Sequence, residues 1–337
     1  MRVLGIESSC DECAVAVVED GKKILSNVIA TQIEEHRVFS GVVPEIASRL
    51  HTEWIRPVCD QALAEADITA SEIDAIAVTN RPGLVGSLLV GLSFAKGLAY
   101  SLGIPFIGVD HIRAHLYAPH LEYDISYPYL GLLVSGGHTV ISHVRGFNDI
   151  EVLGTTIDDA IGEAFDKVAK YYGFGYPGGY VIDTLAQKGN PQAFGFPGPS
   201  LHKGDHRYDV SYSGLKTAVI NQLDKFWDGK SEKSPENIAA SFQKQAVHII
   251  MRRVERALQD TGLSTVVAGG GVAANSLLRS RLEGLHVDHV YFPSMSLCTD
   301  NAAMIAGIGY QYLEQGICSD MSLNASPRVD AFKHMYT

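Results

Sequence analysis

Cysteine is scarce in this chain: five in 337 residues, at positions 10, 13, 59, 298 and 318. A set so sparse and odd in number excludes a disulfide framework and reads as reduced and intracellular. Cys10 and Cys13 make one Cys-x-x-Cys pair, and the second pair that a zinc ribbon needs is missing. Positive charge is short as well. Twenty-seven Lys and Arg against 38 Asp and Glu leave a net charge of −11. That argues against general affinity for nucleic acid, because neutralising phosphates takes clustered cations. A local basic patch or a basic partner subunit stays open. Low-complexity tracts are absent, and so, on this reading, is any apolar run of transmembrane length. The sequence opens on the strand-like run Met1 to Ile6 rather than on a basic and then apolar leader. The expectation is a cytoplasmic protein with no membrane association.

The length suggests about two domains of ~150 residues each, and 46% hydrophobic residues are ample for a core. The 33 glycines gather in short loops, which points to backbone approaching ligands closely. Three apolar runs at 3–6, 14–18 and 23–28, separated by polar turns, predict an antiparallel meander. A helix over about 45–66, a buried strand at 74–78, an apolar helix ending near 102 and a strand at 106–109 follow. The pattern then recurs. Strands are expected at 129–134, 140–144 and 150–153, and later at 264–268 before a glycine turn and a helix. Two copies of one strand arrangement suggest tandem related domains with a ligand between them. The longest irregular stretch, about 190–209, is rich in Gly, Pro and His, and long ordered loops are often functional.

The run from Asp110 to His115 holds two histidines four apart, His111 and His115. On a helix this places both imidazoles on one face, one turn apart, within reach of one metal ion. Ile112 follows the first histidine, so the His-Glu-x-x-His general base of zinc proteases is absent. A hydrogen-bonded core pair is the equal alternative. Asp300, before the small-residue helix at 302–306, reads first as a helix cap, the better reading of an isolated Asp there, and it is also the best third ligand for the histidines. Two His and one carboxylate with open positions suit Fe(II) or Zn(II).

Residues 7–12 (Glu-Ser-Ser-Cys-Asp-Glu) and Ser135-Gly136-Gly137-His138 sit at matching turns between strands, where exposed backbone N–H groups can hold phosphate oxygens. Gly269-Gly270-Gly271 follows a strand and opens a helix at Asn275, a place that favours an anion. Asp159, Glu163 and Asp166 are expected along one face of a helix over 157–167. Their closeness to a core makes them candidates for hydroxyl recognition or base work. Gly179 closes a Tyr-Pro-Gly-Gly turn, with Asp183 one helical turn on. His202, Lys203, His206, Arg207 and Lys216 make one region locally basic, and the run 211–216 there has no evident chemical meaning.

Together these runs resemble one family over nearly the whole chain. It is TsaD, the catalytic subunit that makes N6-threonylcarbamoyladenosine in tRNA, whose archaeal and eukaryotic counterpart is the Kae subunit of the KEOPS complex. The match rests on ten ordered motifs: residues 5–12, 41–45, 82–84, His111-x-x-x-His115, 133–139, 162–167, 176–179, 213–216, 269–275 and 298–301. The resemblance implies an α/β, actin-like ATPase (ASKHA) fold. Two tandem ribonuclease-H-like domains would surround a nucleotide cleft, the first 1–127 with 301–337 returning as a C-terminal helix, the second 128–300. It implies one divalent metal on His111, His115 and Asp300, Fe(2+) before Zn(2+). It implies an adenine nucleotide (threonylcarbamoyl-adenylate, AMP or ATP) on Leu133, Val134, Ser135, Gly136, Gly137, Asp166, Gly179, Asp183 and Asn275. The activity implied is transfer of threonylcarbamoyl from the adenylate to N6 of adenosine 37, in tRNAs reading codons that begin with A, with release of AMP. The partners implied are tRNA, a TsaB-like paralogue, a TsaE-like ATPase and a TsaC-type synthase that supplies the adenylate. Departures from the family's pattern fall at Arg113, Arg81, Cys13, Thr155 and Tyr180, where Glu, Gly, Thr, Glu and Pro are usual. None removes a metal ligand.

Overall fold

The computed structural model describes residues 1–39, 41–199, 201 and 206–328. His202 and Lys203 therefore lie outside the described residues. The chain forms two compact units: Met1–Ile125 joined by the chain from Pro293 onward, and Ser126–Phe292.

The first unit carries strands β1 (Arg2–Glu7), β2 (Glu12–Glu19), β3 (Lys23–Thr31), β4 (Ala75–Arg81) and β5 (Phe106–Asp110) in the order β3-β2-β1-β4-β5. The expected meander is present, β1 and β2 pairing antiparallel and β2 with β3 likewise. β4 and β5 add in parallel, Ile6 opposite Val78 and Thr79 opposite Val109. β1 is buried from Val3 to Glu7, an apolar run closed by one acid, as expected of a strand covered on both faces. Helices Pro44–Glu65 and Val85–Leu102 cover one face, and helix Ala302–Glu314 covers the other.

The second unit repeats the scheme. β6 (Tyr129–Val134), β7 (Thr139–Gly146), β8 (Asp149–Thr155), β9 (Thr265–Gly269) and β10 (His289–Tyr291) run β10-β9-β6-β7-β8. Read from its meander end, that is the order of the first sheet, with β6, β7 and β8 antiparallel and β9 and β10 parallel. In such sheets ligands gather at the carboxyl ends of the parallel strands.

Two expectations need correction. Helix Val85–Leu102 is, by length and composition alone, long and apolar enough to cross a membrane, so the chain does hold one such run. Its Ser87, Leu88, Gly91, Leu92, Ala95 and Ala99 form a buried face at helical spacing. The helix expected over 157–167 begins at Ile161, after Ala160 in extended conformation, so Asp159 stands before it rather than on its face. Asp159 instead takes Lys167 at 2.7 Å and Lys216 at 2.5 Å, and Lys167 also reaches Glu163 at 2.8 Å.

Helix Ala302–Glu314 is buried from Ala302 through Gly309. Small residues let it lie almost on the sheet. A Cβ on Gly5 would stand 2.2 Å from the Ala302 carbonyl oxygen and 2.8 Å from the Ala306 nitrogen. The obstruction is backbone, so relief requires moving the helix. Gly5→Ala is expected to cost about 2–3 kcal/mol, the upper part of the usual overpacking range. Thermal unfolding of the two proteins in parallel checks this, and an unchanged Tm would show that the helix tolerates displacement.

Candidate metal centre and nucleotide loops

The parallel strands of the first unit deliver three groups to one place. β1 ends in Glu7, β4 carries Thr79, and β5 runs directly into helix His111–Tyr117. Asp110 caps that helix, its Oδ1 accepting from the Ile112 and Arg113 backbone N–H at 3.0 and 3.3 Å. Arg81 Nε lies 3.3 Å from the other oxygen. His111 and His115 therefore share a face, rings edge to face with centroids 4.5 Å apart.

Asp300 completes the cluster. Its Oδ1 is 3.0 Å from His115 Nε2 and 3.5 Å from His111 Nε2, and the two Nε2 atoms are 3.1 Å apart. One donor atom from each of the three residues lies within 4.8 Å of the others. The capping alternative for Asp300 does not hold. Asn301 is the cap of helix Ala302–Glu314, its side-chain oxygen accepting from Met304 N–H at 3.0 Å, which leaves the Asp300 carboxylate to the histidines.

Glu7 decides which nitrogen of His111 faces this point. It is fully buried. One oxygen accepts from the Ser9 N–H at 2.6 Å. The other accepts from the Thr79 hydroxyl at 2.6 Å and lies 2.9 Å from His111 Nδ1. An ionised carboxylate only accepts, so the proton on Nδ1 is the one Glu7 holds, and the neutral His111 ring offers Nε2 as its ligating atom on the side of Asp300 and His115. Burial works to raise the Glu7 pKa, but the charge and hydrogen bond of His111 outweigh it and hold Glu7 below its ordinary value. Burial works to lower His111; the carboxylates of Glu7 and then Asp300 outweigh it and raise it to about 9. Burial and then repulsion from His111 keep His115 low. His115 Nδ1 is buried with no hydrogen-bond partner, an arrangement that leaves Nε2 as the working atom of a neutral ring.

This donor set fits a divalent cation. Two imidazole nitrogens and one carboxylate oxygen converge, and a buried carboxylate fixes the tautomer of one imidazole from behind. The loop after β1 differs from its sequence reading. The Ser9 N–H is committed to Glu7, and Ser8 Oγ donates to the Ser87 carbonyl at 3.0 Å. That loop buttresses the histidines instead of presenting the Ser9 amide to a phosphate. Glu7 as the partner of His111 was missed in the sequence; the available signal was an acid closing a wholly apolar strand.

The nucleotide candidates lie in the second unit. Leu133 and Val134 are wholly buried, so they offer a ligand only backbone. Ser135 closes the turn after β6, its N–H donating to the His138 carbonyl at 2.8 Å and its Oγ accepting from the His138 N–H at 3.1 Å. Gly136 and Gly137 are exposed. Beside this turn, β9 ends at Gly269, opposite Leu133. Gly270 has φ +90° and approaches so closely that a Cβ would stand 2.5 Å from the Val134 carbonyl oxygen.

Asp183 and Asn275, far apart in sequence, meet: Asn275 Nδ2 donates to Asp183 Oδ1 at 3.3 Å. Asp183 also accepts from the Ser276 N–H at 3.1 Å, the Ser276 hydroxyl at 2.7 Å and Gln243 Nε2 at 2.9 Å. Asp166 does a different job. It accepts from the Gly178 N–H at 2.8 Å and so fixes the start of helix Gly178–Ala186, which bears Gly179 and Asp183. The run 211–216 now has a structural reason. Asp158 accepts from the Tyr212 and Ser213 backbone N–H at 2.8 and 3.2 Å, at the start of helix Ser213–Asn221. Among the departures, Tyr180 is exposed, and Arg113 reaches the Tyr312 hydroxyl at 3.3 Å.

Two outcomes follow for the metal-free protein. His111, raised from 6.5 to about 9, contributes stability that is fully present below pH 6.5 and lost as pH rises through about 9. Chelator-treated protein should therefore melt progressively lower across that window, and a flat profile would contradict the Glu7–His111 pairing. Glu7→Gln keeps an acceptor for Ser9 but removes the charge behind His111. It should weaken Zn(2+) binding about 10- to 100-fold, measured by competition with a chelator.

A family profile described as "TsaD: tRNA N6-adenosine threonylcarbamoyltransferase" matches residues 23–307. A tRNA N6-adenosine threonylcarbamoyltransferase from Treponema denticola is 66% identical over 332 residues, covering 98% of each chain. Among solved structures, a full-length HypF in phosphate- and nucleotide-bound form aligns with 94% of this chain and 47% of its own, at TM-score 0.61 and 16% identity. A ROK hexokinase from Thermus thermophilus aligns with 94% of this chain and all of its own, at TM-score 0.50 and 19% identity. At such identities these structures speak for the fold alone, which is the actin-like ATPase fold.

Proposed function

The chain belongs to the TsaD family of tRNA N6-adenosine threonylcarbamoyltransferases, and on that premise we propose its donor, its acceptor position and its site. The donor is threonylcarbamoyl-adenylate. The acceptor is N6 of adenosine 37 in tRNAs reading codons that begin with A. N6 adds its lone pair to the carbamoyl carbon, the bond from that carbon to the phosphate oxygen breaks, the electron pair leaves on AMP, and N6 gives up a proton. Similarity to a transferase over 98% of the chain is the observation that carries this reading.

His111, His115 and Asp300 would hold one divalent ion, Fe(2+) or, as second choice, Zn(2+). When bound, such an ion supplies a Lewis-acid grip on the threonyl carboxylate or hydroxyl. Glu7 and Thr79 keep His111 oriented for that task. The exposed backbone of Gly136 and Gly137, in the turn that Ser135 closes, takes the phosphate, where fixed N–H dipoles also favour the departing AMP. Leu133 and Val134 contribute backbone only. Asp183 and Asn275, already hydrogen-bonded to each other, face the ribose, and Asp166 sets Gly179 in place. The exocyclic amine of adenine is a weak nucleophile, so holding donor and acceptor in register supplies much of the rate. A TsaC-type synthase makes the donor from threonine, bicarbonate and ATP. A TsaB-like paralogue and a TsaE-like ATPase complete the working assembly, which acts in the cytoplasm.

The test combines the protein with these partners, threonylcarbamoyl-adenylate and unmodified tRNA, and reads digested tRNA nucleosides by mass spectrometry. Wild type should give threonylcarbamoyladenosine. His111→Ala and Asp300→Ala should each reduce it at least 100-fold. Full product from either variant would remove the metal cluster from the reaction.

A further inference from the structure

Most arginines of this chain are neutralised. Arg2, Arg37, Arg49, Arg56, Arg81, Arg145 and Arg207 each lie within 4 Å of a carboxylate. Arg252 and Arg281 are different. Both are exposed, and neither has a carboxylate partner among the described residues. Arg252 lies on helix Pro235–Thr261, which packs against helix Ser276–Glu283, the helix of Arg281.

Lys244, His248 and Arg252 recur every four residues, so they form a stripe on one side of the long helix. Lys244 makes only a neutral contact, 2.7 Å to the Gln192 side chain. Partial desolvation, then repulsion from Arg252 and Arg281, hold His248 below its ordinary pKa. The helix of the second arginine packs against the helix of the stripe, and His248, held low, adds no charge to it at pH 7. Glu255 is the acid that faces this group.

The position of the stripe indicates its partner. Lys244 follows Gln243, whose side chain holds Asp183, which in turn holds Asn275 and Ser276. From Lys244 to Arg252 is eight residues, roughly 12 Å of helix. Arg281 stands six residues beyond Asn275. Cations that make no ion pair among the described residues thus begin beside the proposed ribose contacts and lead away along two packed helices, on a chain whose net charge is −11.

We propose that Lys244, Arg252 and Arg281 form a docking track for the phosphate backbone of the tRNA substrate. This rests on the transferase reading for the identity of the polyanion. The contact is electrostatic and sequence-independent. It positions the tRNA and leaves recognition of the modified adenosine to other groups.

The experiment uses the protein assembled with its TsaB-like and TsaE-like partners and an unmodified tRNA transcript. The double variant Arg252→Gln, Arg281→Gln is compared with wild type and with a charge-matched control, Lys23→Gln, Arg145→Gln. Each arginine removed should weaken tRNA binding by about tenfold at 0.1 M salt and flatten the log–log salt slope by about one. KM for tRNA should rise while kcat and Tm hold. Equal losses in variant and control would overturn the track, since net charge alone would then explain them. So would unchanged tRNA binding, including the case in which the variant instead loses its protein partner. Binding is read by fluorescence anisotropy, apart from product formation. An assembly that binds tRNA through these arginines but makes no modified adenosine would refute the transferase reading and leave the track standing.

Discussion

A single buried carboxylate organises the first unit. Glu7 has no access to water, and an ionised acid in that position is untenable unless every nearby donor is aimed at it. The donors come from three elements: the Ser9 amide from its own loop, the Thr79 hydroxyl from β4, and the His111 imidazole from the helix after β5. Each must arrive in register. The pairing of Ile6 with Val78 and of Thr79 with Val109 brings them there, and a one-residue slip in either ladder would turn Thr79 or the start of the histidine helix away. The candidate metal cluster is thus held from behind, by strands and the loop that follows β1.

The two units answer the same topology with different chemistry. In the first, carboxyl ends of parallel strands present side chains that can ligate. In the second, the corresponding ends present glycine backbone, and the polar side chains that matter, Asp183 and Asn275, come from helices. A duplicated frame has kept its strand order and exchanged what it displays at the rim. That the first loop helps hold Glu7 behind His111, while its counterpart at Ser135 leaves Gly136 and Gly137 exposed, is the clearest sign of this division.

Much of this was legible in the sequence, for identifiable reasons. The meander, the parallel strands and the repeat are written in apolar runs bounded by polar turns, and those signals are local. His111 and His115 were legible as a pair because helical spacing is local too. Asp300 could not be told from a cap, since the distinction depends on Asn301 taking the Met304 amide. Glu7 was misread as part of a phosphate loop because its partners lie 72 and 104 residues away. Asp159 was placed on a helix that begins two residues later, where the extended backbone of Ala160 breaks the periodic pattern. The meeting of Asp183 with Asn275 and Gln243 followed from no local pattern at all.

The first unit is discontinuous in sequence: residues from Pro293 onward return to the sheet built by Met1–Ile125. A ribosome delivers the chain from its N-terminus, and domains tend to fold as their residues emerge. The second unit is complete once Phe292 is free of the exit tunnel. The first must wait through all of that synthesis with one face of its sheet uncovered, lacking helix Ala302–Glu314, and with two histidines lacking Asp300. Assembly of the candidate metal cluster is therefore among the last events in the making of the protein, and a nascent chain halted between positions 292 and 300 carries a second unit that is whole and a cluster that still lacks Asp300.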